Sequence, residues 1–170
     1  MGKKSTRENK NIYQLSREKL ELTREKASEK MAYISADRIE KIESEKSLPH
    51  PDEILAMAEC YKAPDLCNYY CSHECPIGQE HVPEIKMKDL SQIVLEMLAS
   101  LNTLEKEKER LIEITVDGKI SGDEYRDFVK IQSQLNKISM SVNSLQLWLQ
   151  KTIADGKIDK AQLDALEVTD

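Results

Sequence analysis

The chain is poor in aromatic and turn-forming residues. Aromatics are 5% of its 170 residues, with one Trp and one Phe, and Gly and Pro number five each. A β-sandwich needs more of both, and collagen-like or Gly/Ser-linker compositions need far more Gly and Pro. No apolar run reaches the roughly 18 residues of a membrane helix, so no membrane span is expected. No charged, apolar, small-residue leader pattern opens the chain, which predicts a cytoplasmic protein. There is also no Gly-rich phosphate loop, no nucleophile motif and no His–carboxylate set at useful spacing. An enzyme is therefore not expected.

What the chain has is charge, at 33% of residues, with a net charge of −6. That charge is unevenly spread. Residues 1–50 hold 12 Lys/Arg against 9 Asp/Glu, and residues 51–170 hold 13 against 22. A basic head on an acidic body suits a nucleic-acid-binding head with a non-binding tail. Pattern then divides the chain into residues 9–62, with short helical runs; 63–84, rich in Cys, His and Pro; 85–154, long and helical; and 155–170, a short tail.

The long segment carries the clearest periodicity. Leu90, Val94, Met97, Leu101, Leu104, Lys108, Leu111 and Thr115 alternate steps of four and three, and Phe128, Ile131, Leu135, Ile138, Val142, Leu145 and Leu149 do the same. That is the 3.5-residue repeat of helices packed along a seam. Between the runs, Gly118 suits the left-handed position that ends a helix, and Ser121-x-x-Glu124 is a capping box that starts the next. A short connector makes long helices antiparallel neighbours, so an antiparallel helical hairpin is expected. Asp155-Gly156-Lys157-Ile158-Asp159 with Gln162 repeats the connector and predicts a last helix near 159–167. The first connector also has the Gly, Ile and final Glu of a calcium loop, but its early positions, Glu113, Thr115 and Asp117, are a poor ligand set, so a plain capped turn is preferred. Ile93, Leu98, Ile112, Leu147 and Trp148 widen the apolar stripe beyond the seam. Hairpins of two chains pairing as a four-helix bundle would cover it, giving a homodimer; an N-terminal domain folded back is the alternative.

In the head, an apolar face at Ile12, Leu15 and Leu20 predicts a first helix. Thr23 caps a second through Met31, and Ser35 caps a third with Ile39 and Ile42 inward. Asp52 to Tyr61 gives a fourth, with Ile54, Leu55, Met57 and Ala58 inward. Four or five short helices, the second and third joined by a tight turn, follow the helix-turn-helix plan.

Leu22-Thr23-Arg24-Glu25-Lys26-Ala27-Ser28-Glu29-Lys30-Met31 resembles the second helix of the Cro and phage-repressor (XRE-type) family. Arg38-Ile39-Glu40-Lys41-Ile42-Glu43 is similar to its third helix with the structural Glu, and Pro49, Leu55 and Ala58 match the trail that follows. The likeness covers about residues 11–62. It implies sequence-specific binding of double-stranded DNA, with the third helix in the major groove and two heads on half-sites about one DNA turn apart. By position, Ser35, Ala36, Asp37, Glu40 and Lys41 would face bases and phosphates, and Arg24 would stand beside the backbone and first bases. Thr23 and Arg38, with Lys3, Lys4, Arg7 and Lys10 of an N-terminal arm, would reach phosphate. Three features depart from the family: a turn at Met31–Ser35 that is one residue longer and lacks its Gly, Glu45 in place of a Gly after the third helix, and acidic Asp37 and Glu40 on the DNA-facing side.

Cys60, Cys67, Cys71 and Cys75 fall within 16 residues, as C-x6-C-x3-C-x3-C, with His73 among them as an alternate ligand. In a cytosolic chain such crowding points to metal or redox chemistry. On one straight helix Cys67 and Cys75 would stand about 12 Å apart along the axis, too far for one zinc ion, so zinc needs the helix to end near Cys71 or His73. An iron–sulfur cluster tolerates more, and buried free thiols or a redox disulfide remain open. The expected protein is thus all-α: a helix-turn-helix bundle of four to five short helices, a Cys-rich joint and a C-terminal antiparallel helical hairpin. The expected function is that of a dimeric transcriptional regulator modulated through the cysteines. The alternative is an adaptor that recruits a protein through the hairpin and does not bind DNA.

Overall fold

The computed structural model describes residues 10–116, 119–122 and 124–167. Among these the fold is all-α, with nine helices and no strand: α1 (Ile12–Lys19), α2 (Arg24–Met31), α3 (Ala36–Glu43), α4 (Pro51–Cys60), α5 (Asp65–His73), α6 (Pro76–His81), α7 (Leu90–Thr115), α8 (Glu124–Ala154) and α9 (Lys160–Glu167). None of them is long and apolar enough to cross a membrane. The chain divides into two compact units, Met1–Glu84 with Gln150–Asp170, and Ile85–Leu149.

In the first unit the early helices begin where a short polar side chain takes a free backbone N–H. Asn11 accepts from the Gln14 amide at 3.0 Å, Thr23 from Lys26 at 3.2 Å and Ser35 from Arg38 at 3.1 Å. Pro51 opens α4, where its missing N–H costs nothing. The backbone after each of α1 to α4 turns through one residue of positive φ: Glu21, Ala32, Glu45 and Lys62. None of these four is Gly, so the chain accepts strain there that a Gly would relieve.

The core joins Met31 and Ile34 with Ile39, Ile42, Ile54 and Met57. Two expectations about facing need correction. Leu15, Leu20 and Leu55 point outward, and α1 instead buries Tyr13, Gln14 and Arg17. These polar groups can be buried because each has a partner. Arg17 donates from Nε to Glu43 Oε1 at 2.5 Å and from Nη2 to Oε2 at 2.9 Å, while Arg24 Nε donates to the same Oε2 at 2.8 Å. The Glu43 side chain has no exposed surface. One carboxylate thus ties α1, α2 and α3 together. A third arginine, Arg38, donates to both oxygens of Glu53 at 2.6 Å and joins α3 to α4.

The stretch expected as a Cys-rich connector belongs to this unit, because Ala63 and Leu66 are buried in its core. Tyr13 packs edge-on against Tyr69 and donates to Glu74 Oε2 at 2.9 Å. At the far end of the chain Lys151 donates to the Lys62 carbonyl at 2.7 Å. Gly156 follows α8 with φ of 74°, and Asp159 accepts from the Ala161 amide to start α9, as the repeated connector predicted.

The second unit is the hairpin. Glu124 accepts from the Ser121 amide at 3.0 Å, which is one half of the predicted capping box at the start of α8; the Ser121 hydroxyl donates to the Glu124 carboxylate instead of taking a backbone N–H. Arg110 and Asp127, 2.9 Å apart, bind the end of α7 to the first turn of α8. Asp117 and Gly118, and with them the calcium-loop reading, lie outside the described residues, as do Lys3, Lys4 and Arg7 of the arm. The seam is rotated from its expected position. The buried row on α7 is Ile93, Ser100 and Ile114, with half-buried Glu107 between them at the same seven-residue step. Met97, Leu104 and Leu111 flank it half-buried, while Val94 and Leu101 remain 40% and 43% exposed. Ile93 and Leu147, expected off the seam, are buried. Ser100, Ser141 and Ser144 are buried too, and each hydroxyl donates to the carbonyl four residues back, so none is left unpaired.

Two outcomes follow for stability. Glu43→Gln removes the charge that two arginines share and should destabilise the first unit by about 3–5 kcal/mol in urea unfolding, as breaking a buried ion pair does. One carboxylate oxygen of Glu107 is buried with no hydrogen-bond partner. Glu107→Leu should therefore raise the hairpin's stability by about 1–3 kcal/mol, read from the melting of α7 and α8 by circular dichroism.

Candidate nucleic-acid interface

The turn between α2 and α3 runs from Ala32 to Ser35. Ile34 anchors it in the core, and Tyr33 lies outside with its hydroxyl donating to the Asp52 carbonyl at 2.8 Å. Because Ile39, Ile42 and Glu43 face the core, the 100° step between helical residues turns Asp37 and Lys41 outward. Ser35, Asp37 and Lys41 are exposed, and Ala36 and Glu40 half-exposed. These residues share the free side of α3, so the set expected to face DNA is largely on one surface.

The charges on that surface are partly engaged. Arg38 lies to the side of it, with its guanidinium on Glu53, the Ser47 hydroxyl and the Leu48 carbonyl. The Arg38 hydrogen bond holds the Glu53 carboxyl below the usual range. Arg24 keeps about a third of its side chain exposed while bound to Glu43. Glu40 is paired with Lys46 at 3.1 Å, and that hydrogen bond draws its carboxyl below the ordinary value. Thr23 spends its hydroxyl on the α2 cap but remains half-exposed. Asp37 and Lys41 are left as the opposed charges at the front of α3.

Reading the residues alone missed the partners of Arg38. The signal was there in His50-Pro51-Asp52-Glu53, where a Glu three residues past a helix start can turn back to it. Glu53 does so, accepting from the His50 amide at 2.7 Å while holding Arg38.

The four cysteines are free and each is half-buried. The helix does end at His73, and the chain does turn back, as a shared zinc required. Yet among the described residues no three His, Cys, Asp or Glu side chains gather as a metal ion would need. Cys60, Cys67, Cys71, Cys75 and His73 are therefore not gathered as the ligands of a single metal ion in this arrangement. The reason lies in how they are spread. Cys60 ends α4, Cys67 and Cys71 stand one turn apart on α5, and Cys75 caps α6. His73 is stacked on Tyr69, with ring centroids 4.4 Å apart. Burial pushes the Cys60 and Cys67 thiols up from the ordinary value, opposed at Cys60 by Lys30 and reinforced at Cys67 by Cys71. Burial likewise raises the Glu74 carboxyl, against the Tyr13 hydrogen bond.

What joins α5 to α6 is backbone contact. A Cβ on Gly78 would lie 2.0 Å from the Cys71 carbonyl oxygen, so only Gly allows this approach. Comparisons with protein-family models, with curated proteins and with solved structures give no match for the chain.

Gly78→Ala should separate α6 from α5. The expected result is a loss of about 1–3 kcal/mol and faster alkylation of Cys71 by a maleimide, read by mass spectrometry, while Cys60 keeps its rate.

Proposed function

We propose that this protein is a sequence-specific DNA-binding transcriptional regulator that acts as a dimer. One observation carries the reading: α2 and α3 are separate eight-residue helices joined by a tight turn, with the apolar side of α3 in the core and Ser35, Asp37 and Lys41 on its free side. That arrangement suits insertion of α3 in a major groove. The resemblance of residues 11–62 to the XRE-type family supports it, as does the excess of basic residues in the first 50 positions.

In this reading Lys41 and Arg24 approach phosphates. Ser35, Ala36, Asp37 and Glu40 face the base edges, where a carboxylate accepts from a cytosine amine. Thr23 sits at a helix start, where a phosphate also finds free N–H groups. Arg38 supports the groove helix by fixing α3 on α4. The hairpin brings two heads together for two half-sites.

A second reading has a specific observation behind it. Arg38 is committed to Glu53, Arg24 is bound to Glu43, and Asp37 and Glu40 bring negative charge to the free side of α3. A head so charged suits a protein partner, with the chain as an adaptor.

Selection from a random duplex pool, followed by titration across salt, separates the two. The regulator binds an enriched site with an affinity that falls steeply as salt rises. Lys41→Ala weakens all sequences alike and lowers the salt slope by about one. Asp37→Ala changes which base is preferred. Absence of enrichment and of any salt-dependent binding would favour the adaptor.

A further inference from the structure

The hairpin's outer side holds an ordered pattern. Burial of Ile93, Ser100 and Ile114 fixes which side of α7 meets α8. At 100° per residue, Leu98, Glu105 and Ile112 then stand about 160° from that row and Leu101 and Lys108 about 100° from it, so the five share one stripe turned away from the buried side. Leu98, Leu101 and Ile112 are 51%, 43% and 56% exposed. Along one edge of the stripe runs a groove of about 390 Å³, lined by Leu101, Glu105 and Lys108 together with the half-buried Leu104 and Leu111. Both charges are largely in solvent and touch each other only as a pair one turn apart, at 3.6 Å.

The order of residues identifies what fits there. From its centre, between positions 106 and 107, the stripe runs outward to Glu105 on one side and Lys108 on the other, then to Leu101 and Ile112. Turned end for end, these four positions become their own complement, acid over base and Leu over Ile. A surface that meets itself across a two-fold axis needs that property, and an unrelated partner has no reason to share it. A lone Lys in an apolar heptad row is also a known way of setting register between helices.

We propose that α7 docks antiparallel on α7 of a second copy, with Lys108 of each chain against Glu105 of the other and Leu101 against Ile112. The inference rests on the dimeric reading above and deepens it by naming the face. It does not depend on DNA binding.

Sedimentation of the full chain without DNA tests it. The wild type sediments as a dimer. Lys108→Glu sets acid against acid and weakens the dimer roughly tenfold or more, and Glu105→Lys with Lys108→Glu in the same chain restores it. Leu101→Glu yields monomer with unchanged helical circular dichroism; if it unfolds instead, the charge pair alone decides. Leu135→Glu, on α8, leaves the dimer intact. A wild type that stays monomeric at high concentration overturns the proposal. So does a charge reversal without effect, a double reversal that fails to restore, or a dimer lost through Leu135→Glu. Loss of DNA binding with the dimer preserved would count against the regulator reading and leave this one standing.

Discussion

The first unit depends on a single buried carboxylate. Glu43 has no access to water, and it sits where α1, α2 and α3 meet. A lone charge in that place would cost several kcal/mol, and it is tolerable because Arg17 and Arg24 bring three N–H donors to it. The consequence is geometric. Arg17 also donates to the Leu22 carbonyl, just before the cap of α2, so the same guanidinium fixes where the second helix begins. With α2 and α3 held by one set of charge-assisted bonds, the side of α3 that faces away from the core is set as well. The presentation of Ser35, Asp37 and Lys41 is thus downstream of Glu43, which touches none of them.

The second unit follows a different rule. Its helices are wider in apolar surface than one neighbour can cover. The buried positions, Ile93, Ser100 and Ile114 on α7 and Ile131, Ser141, Ser144 and Leu147 on α8, take one part of it, and much of the remainder faces outward. Buried and exposed positions are therefore two parts of one heptad pattern.

Much of this architecture was legible in the residues, and the reasons are local. Caps at Thr23, Ser35 and Ser121–Glu124, and the turn at Gly156, involve groups only a few positions apart, so spacing alone locates them. The hairpin was legible because a seven-residue period persists over many turns. The sense of each face was less so. Leu15 and Leu20 look inward on hydropathy and point outward, because α1 buries Tyr13 and Arg17, whose partners lie far along the chain, and Leu55 points outward from α4. Arg17 and Glu43 are 26 residues apart, and Arg38 and Glu53 are 15 apart, and no periodicity links them. The same holds for the cysteines. Their crowding in sequence suggested a common ligand, but helical phase and the turn at Glu74 spread them over three helices. The contact that does organise this region, Gly78 on the Cys71 carbonyl, involves a residue with no side chain to read.

The most direct test of this account is a double-mutant cycle on Arg17→Met and Glu43→Leu, with urea unfolding of the full chain. Arg17→Met leaves the buried Glu43 with Arg24 alone, and Glu43→Leu leaves Arg17 buried without its carboxylate, whereas the double change removes both buried charges. A coupling of about 2 kcal/mol or more, with the double variant more stable than either single one, is the predicted result. Two losses that simply add, to within about 0.5 kcal/mol, would show that Glu43 does not hold the three helices together.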